Sequence, residues 1–358
     1  MRRGRRGVRR ALHRGRALLL SPRRVRRHRE WILRRLGLGR ARDPHLLPFS
    51  PGFAEREARP LIDPPSVPAA EAGFMRDDDM VVGVAAGAEA RAYPWWIMDN
   101  HHVANDVVGG RASVLAFCEV CSSGIVFDRA PDGRRLTFEA THLFNGAVAM
   151  SDRETRSLWA PYLARAIRGR LRGTALDLLP ASHATWSAWR DGHPETTVLA
   201  GHLGTREGHG SGHTIGTAAI WNPLRATVAR WDERMPSNAL VFGVSLEGQQ
   251  RAYPLDLLRG RGGVLNDRLG DVDVVVLLDP APGSYAAFAF DRRVGGRVLT
   301  MQPNGAGGAI DQQTGTAWTV DGVAVSGPLA GASLSYVGGH VSEWFIWASH
   351  FPQIDVAT

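Results

Sequence analysis

The chain has 358 residues, which is enough for two ordinary domains with substantial cores. Hydrophobic residues make up 44% of it, which excludes a wholly disordered chain, and no apolar run approaches the roughly 20 residues that span a bilayer. The net charge of +8 arises at the amino terminus, because residues 1–42 hold 17 arginines and one acidic residue, whereas the remainder is mildly acidic.

The arginine-rich tail, residues 1–42, is the first segment. Its longest apolar run, residues 17–20, is too short for the core of a signal peptide. Arginines surround Trp31, Ile32 and Leu33, a pattern typical of a basic helix on an anionic surface. We therefore expect a disordered tail or a surface helix, with a membrane or a nucleic acid as its anionic partner. The sequence has no specific nucleic-acid-binding module, and it predicts a cytoplasmic or peripheral membrane location.

Residues 43–80 form a proline-rich lead-in without a clear hydrophobic period. The rest of the sequence consists of two copies of one module. The first copy, residues 81–200, opens with VVGVAAGAEARAYP, and a linker, residues 201–238, follows it. The second copy, residues 239–358, opens with a strand and VFGVSLEGQQRAYP. Further blocks match in the same order, including NDVV with NDRL, DRETRSLW with DQQTGTAW, and a final Trp-x-x-Trp.

Each copy predicts the same order of elements. An apolar strand leads to a short helix after Pro94 or Pro254, where proline suits the start of a helix. Several strands joined by glycine turns follow, and a helix with the Trp-x-x-Trp pair ends the copy. The sequence therefore predicts an α+β, β-rich fold, built as a tandem duplication of one mainly-β module with short helices.

The differences between the copies are as informative as the matches. His101 and His102 of the first copy correspond to Gly262 and Gly263 in the second copy. Cys118 and Cys121, the only cysteines of the chain, have no counterpart, and Met150 corresponds to alanine. Because these metal-capable side chains are all missing from the second copy, we interpret them as one site, with the second copy as a scaffold.

A Cys-x-x-Cys pair on a turn offers two thiolates, which is half of a tetrahedral site for a soft metal. Zinc would be bound by both cysteines, His101 and water, or by both cysteines, His101 and His102. Copper would suit the two cysteines, His101 and the thioether of Met150. The leading prediction is therefore a metal-binding, possibly redox-active protein that holds copper or zinc. Whether it is an enzyme, and of what reaction, stays open at this point.

Two alternatives to the metal site stay open. The cleft between the two copies could bind a ligand or a partner without catalysis. The Cys-x-x-Cys pair could also work as a dithiol oxidoreductase, although a thioredoxin-like motif has its first cysteine at a helix start, and here an apolar strand, residues 125–127, follows the pair.

The motifs together resemble a bacterial family called domain of unknown function 3179. Members show a His-Glu-x-x-Asn-Asp stretch, a Cys-Pro-Leu-Cys knuckle and Met-x-Asp-Arg-x-Thr-x-Ser-x-Trp, and here these are HHVAND, CEVC and MSDRETRSLW. His101, Cys118, Cys121 and Met150 match family positions, whereas His102 replaces the usual glutamate and Glu119-Val120 replace Pro-Leu. The resemblance implies this fold and this site, but no reaction.

Overall fold

The computed structural model describes residues 45–48, 58–204, 215–216, 225 and 227–358. The arginine-rich tail and the basic helix predicted in it lie outside these residues, as does part of the linker. No helix within the described ranges is both long enough and apolar enough to cross a membrane.

The first half of the described chain is built mainly from short strands, as the alternation of apolar segments and glycine turns predicts. Its strands are β1 (Leu46–Pro48), β2 (Leu61–Ile62), β3 (Ser66–Pro68), β4 (Met80–Ala86), β5 (Glu89–Pro94), β6 (Val103–Val108), β7 (Arg111–Cys118), β8 (Ser123–Asp128), β9 (Phe138–Phe144), β10 (Ala147–Asp152), β11 (Leu158–Ala160), β12 (Arg165–Arg168), β13 (Leu178–Leu179), β14 (Ser182–Thr185) and β15 (Thr197–Leu199). Its helices are α1 (Trp95–Met98) and α2 (Trp186–Gly192).

The second half repeats this style of construction. Its strands are β16 (Leu240–Leu246), β17 (Gln249–Pro254), β18 (Val264–Leu269), β19 (Val272–Leu278), β20 (Ala287–Asp291), β21 (Arg293–Val294), β22 (Arg297–Val298), β23 (Met301–Pro303), β24 (Gly308–Asp311), β25 (Ala317–Thr319), β26 (Ala324–Ser326), β27 (Ser335–Tyr336), β28 (His340–Glu343) and β29 (Asp355–Val356). Its helices are α3 (Leu255–Gly260) and α4 (Trp344–His350). The predicted α+β, β-rich class is therefore confirmed.

Three sheets of the first half have counterparts in the second half. The order β14-β4-β5-β15-β3 resembles β28-β16-β17-β29, and in both sheets the pairing β5–β15 or β17–β29 is parallel. The order β13-β8-β7-β6-β2 resembles β27-β20-β19-β18, and β1-β9-β10-β11-β12 resembles β23-β24-β25-β26. The duplication as such stays a prediction.

Residues matched between the copies make the same contacts in both halves. Asp106 accepts hydrogen bonds from Arg91 and Tyr93, and Asp267 accepts the corresponding bonds from Arg251 and Tyr253. The indole nitrogen of Trp159 donates to Asp152, and that of Trp318 donates to Asp311 in the same way. The carboxylates thus tie strands and turns together, as expected for residues kept for folding.

One large hydrophobic cluster contains residues of both halves, among them Val82, Leu115 and Phe117 of the first and Phe242 and Val276 of the second. Smaller clusters lie under each Trp-x-x-Trp helix, in which Trp186, Trp189, Trp344 and Trp347 are buried. The two halves therefore share a core, and β8 of the first half approaches β28 of the second half.

Candidate functional site

The Cys-x-x-Cys segment is a tight turn between two buried strands. Strand β7 ends at Cys118, a single 3-10 turn follows over Glu119–Cys121, and β8 begins at Ser123. Ser122 closes the turn in the left-handed region, with φ of 49°. This is the local structure that the sequence predicts for the segment.

The sulfur atoms of Cys118 and Cys121 are joined in a disulfide. The side chain of Cys121 is fully buried and that of Cys118 nearly so, in a cluster with Phe127, Tyr162 and Phe345. The sulfur of Cys121 lies 3.7 Å from the carbonyl oxygen of Gly146. The pair is therefore a closed disulfide in an apolar setting rather than an open pair of thiolates.

Met150 belongs to the same buried cluster as the two cysteines, because it lies on β10, which pairs with β9 and β11. Its side chain is completely buried. The structure thus brings three of the five predicted site residues, Cys118, Cys121 and Met150, into one apolar cluster.

His101 follows α1 and makes other contacts. Its Nδ1 lies 2.6 Å from the carbonyl oxygen of Arg59, and its Nε2 lies 2.9 Å from that of Leu203. These two contacts occupy both ring nitrogens of His101. His101 therefore ties the lead-in and residue 203 to the turn after α1.

His102 holds a backbone position that favours glycine. Its φ is 56°, and its carbonyl oxygen accepts from the backbone amide of Phe117. Gly263 has φ of 82° and accepts in the same way from Leu278. Among the described residues, no group of three or more His, Cys, Asp or Glu side chains is arranged to hold a metal ion. The metal site stays a prediction.

Polar side chains from distant segments surround the residues just after the disulfide. The backbone amide of Gly216 donates to Oγ of Ser122 at 2.9 Å, so the Ser122 hydroxyl donates its own proton to Oε1 of Glu343, also at 2.9 Å. The hydroxyl of Ser123 contacts the hydroxyl of Tyr162. These bonds join the Cys-x-x-Cys turn to β28 of the second half.

Two buried histidines complete this polar cluster. The amide of Gly124 donates to Nε2 of His183 at 2.9 Å, so the ring proton of His183 is on Nδ1, which has no partner among the described residues. Neither ring nitrogen of His340 has a partner there either. Burial lowers the pKa of both His183 and His340 to about 3, which makes both rings neutral near pH 7.

Glu343 is fully buried, and its Oε2 has no hydrogen-bond partner among the described residues. Desolvation raises the pKa of this carboxyl to about 7, although the bond from Ser122 acts in the opposite direction. Burial also raises the pKa of Tyr162 above its ordinary range. A protonatable acid, a tyrosine and two neutral imidazoles thus lie around the residues that follow Cys121, and of these four groups Glu343 is the one that changes its protonation state near pH 7.

Sequence reasoning missed Tyr162, His183, His340 and Glu343. One signal was available in the Trp-x-x-Trp helices, because Thr185 precedes Trp186 and Glu343 precedes Trp344. Thr185 caps α2 by accepting from the amide of Ala188, whereas Glu343 makes no such cap and turns toward Ser122 instead. Glu343 stands where the first copy has a capping threonine. Like the cysteines, it is a residue that one copy has and the other lacks.

Comparison with known proteins gives one match. The family model described as "Protein of unknown function (DUF3179)" matches residues 56–354. No curated protein and no solved structure matches the chain.

Proposed function

The chain belongs to the DUF3179 family of proteins of unknown function, and from this premise we propose that Cys118 and Cys121 form a redox-active pair that cycles between disulfide and dithiol. The disulfide itself carries the proposal, because it joins two cysteines three residues apart across a single turn. The sequence has no further cysteine, so the thiol that exchanges with this pair belongs to another molecule.

A disulfide that closes so short a loop contributes little to the stability of the fold. In the chain-entropy model, a closed loop of about four residues stabilises the folded state by about 2 kcal/mol, against about 4.7 kcal/mol for a loop of 100 residues. A disulfide formed to stabilise the fold would join distant segments, and this one does not. Its small contribution is what a reversible redox pair requires, because the fold has to persist after reduction.

The reaction is thiol–disulfide exchange with a dithiol of another molecule. A thiolate of that dithiol attacks Sγ of Cys118, the less completely buried of the two cysteines, and Cys121 leaves as a thiolate that takes up a proton. The second thiolate of the partner then attacks the partner's sulfur in the mixed disulfide. Cys118 leaves as a thiolate, which also takes up a proton. Two electrons and two protons reach Cys118 and Cys121, and the partner becomes a disulfide.

The surroundings of Cys121 suit the reduced state as well as the oxidised one. A buried thiol without an acceptor is unfavourable, but the carbonyl oxygen of Gly146 lies 3.7 Å from this sulfur, within reach of an S–H donor. The apolar cluster around both sulfurs favours neutral thiols over thiolates. Reduction therefore leaves no unsatisfied charge in the core.

Redox titration of the folded protein tests the proposal. The protein is equilibrated in dithiothreitol buffers of increasing potential, its free thiols are alkylated, and the reduced fraction is measured by mass spectrometry. We expect a reversible two-electron transition with unchanged circular dichroism, and a Cys118→Ala variant without any transition. If the disulfide is reduced only when the protein unfolds, the pair is structural and the proposal fails.

A soft-metal site in the reduced protein is the second candidate, and the position of Met150 favours it. Reduction would offer two thiol sulfurs in the cluster that already holds the Met150 thioether, and copper(I) prefers such sulfur ligands. His101 is not part of this ligand set, because both of its ring nitrogens contact backbone carbonyl oxygens.

Copper(I) titration of the reduced protein, in competition with a chromophoric chelator, tests this second candidate. We expect stoichiometric binding that is about ten-fold weaker in Met150→Leu. Met301→Leu, which changes a buried methionine of the second half, is the control and should bind like the wild type. Absence of binding by the reduced wild type would remove the candidate, and a parallel zinc titration distinguishes the two metals.

A further inference from the structure

The turn of the β9–β10 hairpin lies over the disulfide. The carbonyl oxygen of Gly146 in this turn is 3.7 Å from Sγ of Cys121. Ala147 and Val148 of β10 belong to the buried cluster that holds both cysteines. Cys121 is completely buried, and Cys118 is 5% exposed. Because the dithiol of another molecule has to reach a sulfur atom, part of this cover has to open before exchange.

This hairpin is longer than its counterpart in the second half, β23–β24. The amide of Phe138 donates to Oδ1 of Asn105 where β9 begins. The amide of Met301 donates to Oδ1 of Asn266 in the same way where β23 begins. From these matched positions β9 continues for seven residues and β23 for three, a difference of four residues that extends the first hairpin by about 13 Å. The extension and the disulfide therefore occur together in the first half.

The side chain of Asn145 fastens the turn of the hairpin. Its Nδ2 donates to the carbonyl oxygen of Ser349 in α4 at 2.6 Å, and its Oδ1 accepts from the amide of Ala229 at 2.8 Å. Both ends of this buried side-chain amide are thus used. Asn145 and Gly146 have φ of 48° and 91°, as the tight turn of a two-residue hairpin requires, and Asn-Gly is the pair that adopts such values most readily.

A β-bulge separates the outer part of the hairpin from the inner part. The register between β9 and β10 shifts between Ala149 and Met150, and Thr141 is the extra residue of β9. A bulge interrupts the hydrogen bonds between two strands and bends them. Residues 142–149, which we call the hairpin tip, can therefore open locally, while Met150 and the residues behind it stay paired. β1 pairs with the hairpin tip and belongs to the same outer part.

We propose that the hairpin tip is a lid over the Cys118–Cys121 disulfide, hinged at the bulge and held closed by the side chain of Asn145. When Asn145 releases Ser349 and Ala229, the hairpin tip moves away from Cys121, and the partner's dithiol gains access to the disulfide. This inference rests on the proposed redox function and adds how access to the buried pair is controlled. Because Asn145 and Ser349 are 204 positions apart, that access depends on the contact between the two halves.

The rate at which dithiothreitol reduces the disulfide tests the lid. The whole protein is mixed with excess dithiothreitol without urea, samples are alkylated at intervals, and the reduced fraction is measured by mass spectrometry. Asn145→Gly keeps the turn, because glycine adopts positive φ, and removes both side-chain bonds, so reduction should be at least about ten-fold faster. Asn304→Gly is the matched control, since it changes the asparagine that accepts within the β23–β24 turn, and it should be reduced at the wild-type rate.

Hydrogen exchange measures the opening of the lid without a redox step. In Asn145→Gly, the amides of Gly146 and Ala229 should exchange at least about ten-fold faster, whereas the amides of β16 and β17 should exchange as in the wild type. Circular dichroism verifies that the variant is folded. If it is not, Asn145→Asp takes its place, because aspartate keeps the acceptor for Ala229 and loses the donor to Ser349.

The outcomes separate the lid from the redox proposal. Faster reduction of Asn145→Gly, with Asn304→Gly unchanged, supports the lid. Equal rates of reduction in the wild type and in a variant whose tip amides exchange faster overturn the lid and leave the redox pair intact. Unchanged exchange of the tip amides also overturns it, because Asn145 then does not hold the tip. If every variant is reduced only at urea concentrations that unfold the protein, the disulfide is structural and both proposals fail.

Discussion

The hydroxyl of Ser122 donates a hydrogen bond to Oε1 of Glu343 over 2.9 Å, between residues that are 221 positions apart in the sequence. Both side chains are buried. The bond joins the turn that holds the disulfide to β28, the strand that precedes the second Trp-x-x-Trp helix. The protonation state of Glu343 therefore affects a contact between the two halves next to Cys121.

Glu343 should destabilise the folded protein by an increasing amount as the pH rises. Burial raises the pKa of its carboxyl from 4.5 to about 7. Between these values the folded protein keeps a proton on Glu343 that the unfolded chain has released, so the contribution of Glu343 to the free energy of unfolding decreases with pH across this window and levels off above it. His183 and His340, whose pKa values are lowered by burial, contribute in the opposite direction. A shift of this size corresponds to about 3 kcal/mol. Relative to the wild type, Glu343→Gln should gain stability across this window and be the more stable protein at pH 8.

Urea unfolding of the wild type and Glu343→Gln at several values between pH 5 and pH 8 measures how the difference between their free energies of unfolding changes with pH. Glu233→Gln, at an exposed glutamate, is the control and should follow the wild type at each pH. A difference between Glu343→Gln and the wild type that does not change with pH would contradict this explanation.

The oxidised protein should be only about 2 kcal/mol more stable than the reduced protein, because the disulfide closes a loop of about four residues. By linkage, this difference places the reduction potential of Cys118–Cys121 about 40 mV below that of the same pair in the unfolded chain. Guanidinium unfolding with and without dithiothreitol measures the difference directly. A loss above about 4 kcal/mol, or unfolding on reduction alone, would instead identify a structural disulfide.

The fold class was predictable because its signals are local. Short apolar strands between glycine turns, and the RAYP segments that lead into α1 and α3, can be read within a few residues. A short helix follows each proline, as expected, and Pro94 and Pro254 are the last residues of β5 and β17, directly before these helices. The turn between β7 and β8 was predictable for the same reason.

The polar cluster around Ser122 was not predictable, because its members come from segments far apart in the sequence. Glu343 lies on β28, His183 on β14 and Tyr162 in a 3-10 turn, and only the approach of β8 to β28 brings them together. Comparison of the copies did lead to Cys118, Cys121 and Met150, which lie in one buried cluster.

Asp106 and Asp267 provide a test of how burial changes the contribution of an ion pair to the free energy of unfolding. Each accepts from an arginine and a tyrosine, but the side chain of Asp106 is 5% exposed and that of Asp267 is 20% exposed. Removal of the charge leaves each arginine with only an exposed carboxylate, Glu89 for Arg91 and Asp355 for Arg251, and the lost partner matters more where water is excluded. We expect Asp106→Asn to lower the free energy of unfolding by about 3 kcal/mol and Asp267→Asn by about 1 kcal/mol. Equal losses in chemical denaturation would contradict this explanation.

His102→Gly separates the backbone role of His102 from its predicted role as a metal ligand. A non-glycine residue in the left-handed region costs about 1–2 kcal/mol, and Gly263 holds the corresponding position in the second half. Because glycine also increases the entropy of the unfolded chain by a comparable amount, we expect the stability of His102→Gly to lie within about 1 kcal/mol of the wild type. His102→Val is the contrasting variant, since a β-branched residue is strained there, and it should be clearly destabilised.

Metal affinity of the reduced protein gives the second readout for the same substitution. If His102 is a ligand, zinc binding by His102→Gly should weaken by at least about ten-fold while the melting temperature stays near that of the wild type. If zinc binding is unchanged, His102 serves the turn after α1 alone, and the sulfur atoms of the buried cluster are the ligands that remain. Because stability and affinity are measured on one variant, a loss of folding cannot be mistaken for a loss of a ligand.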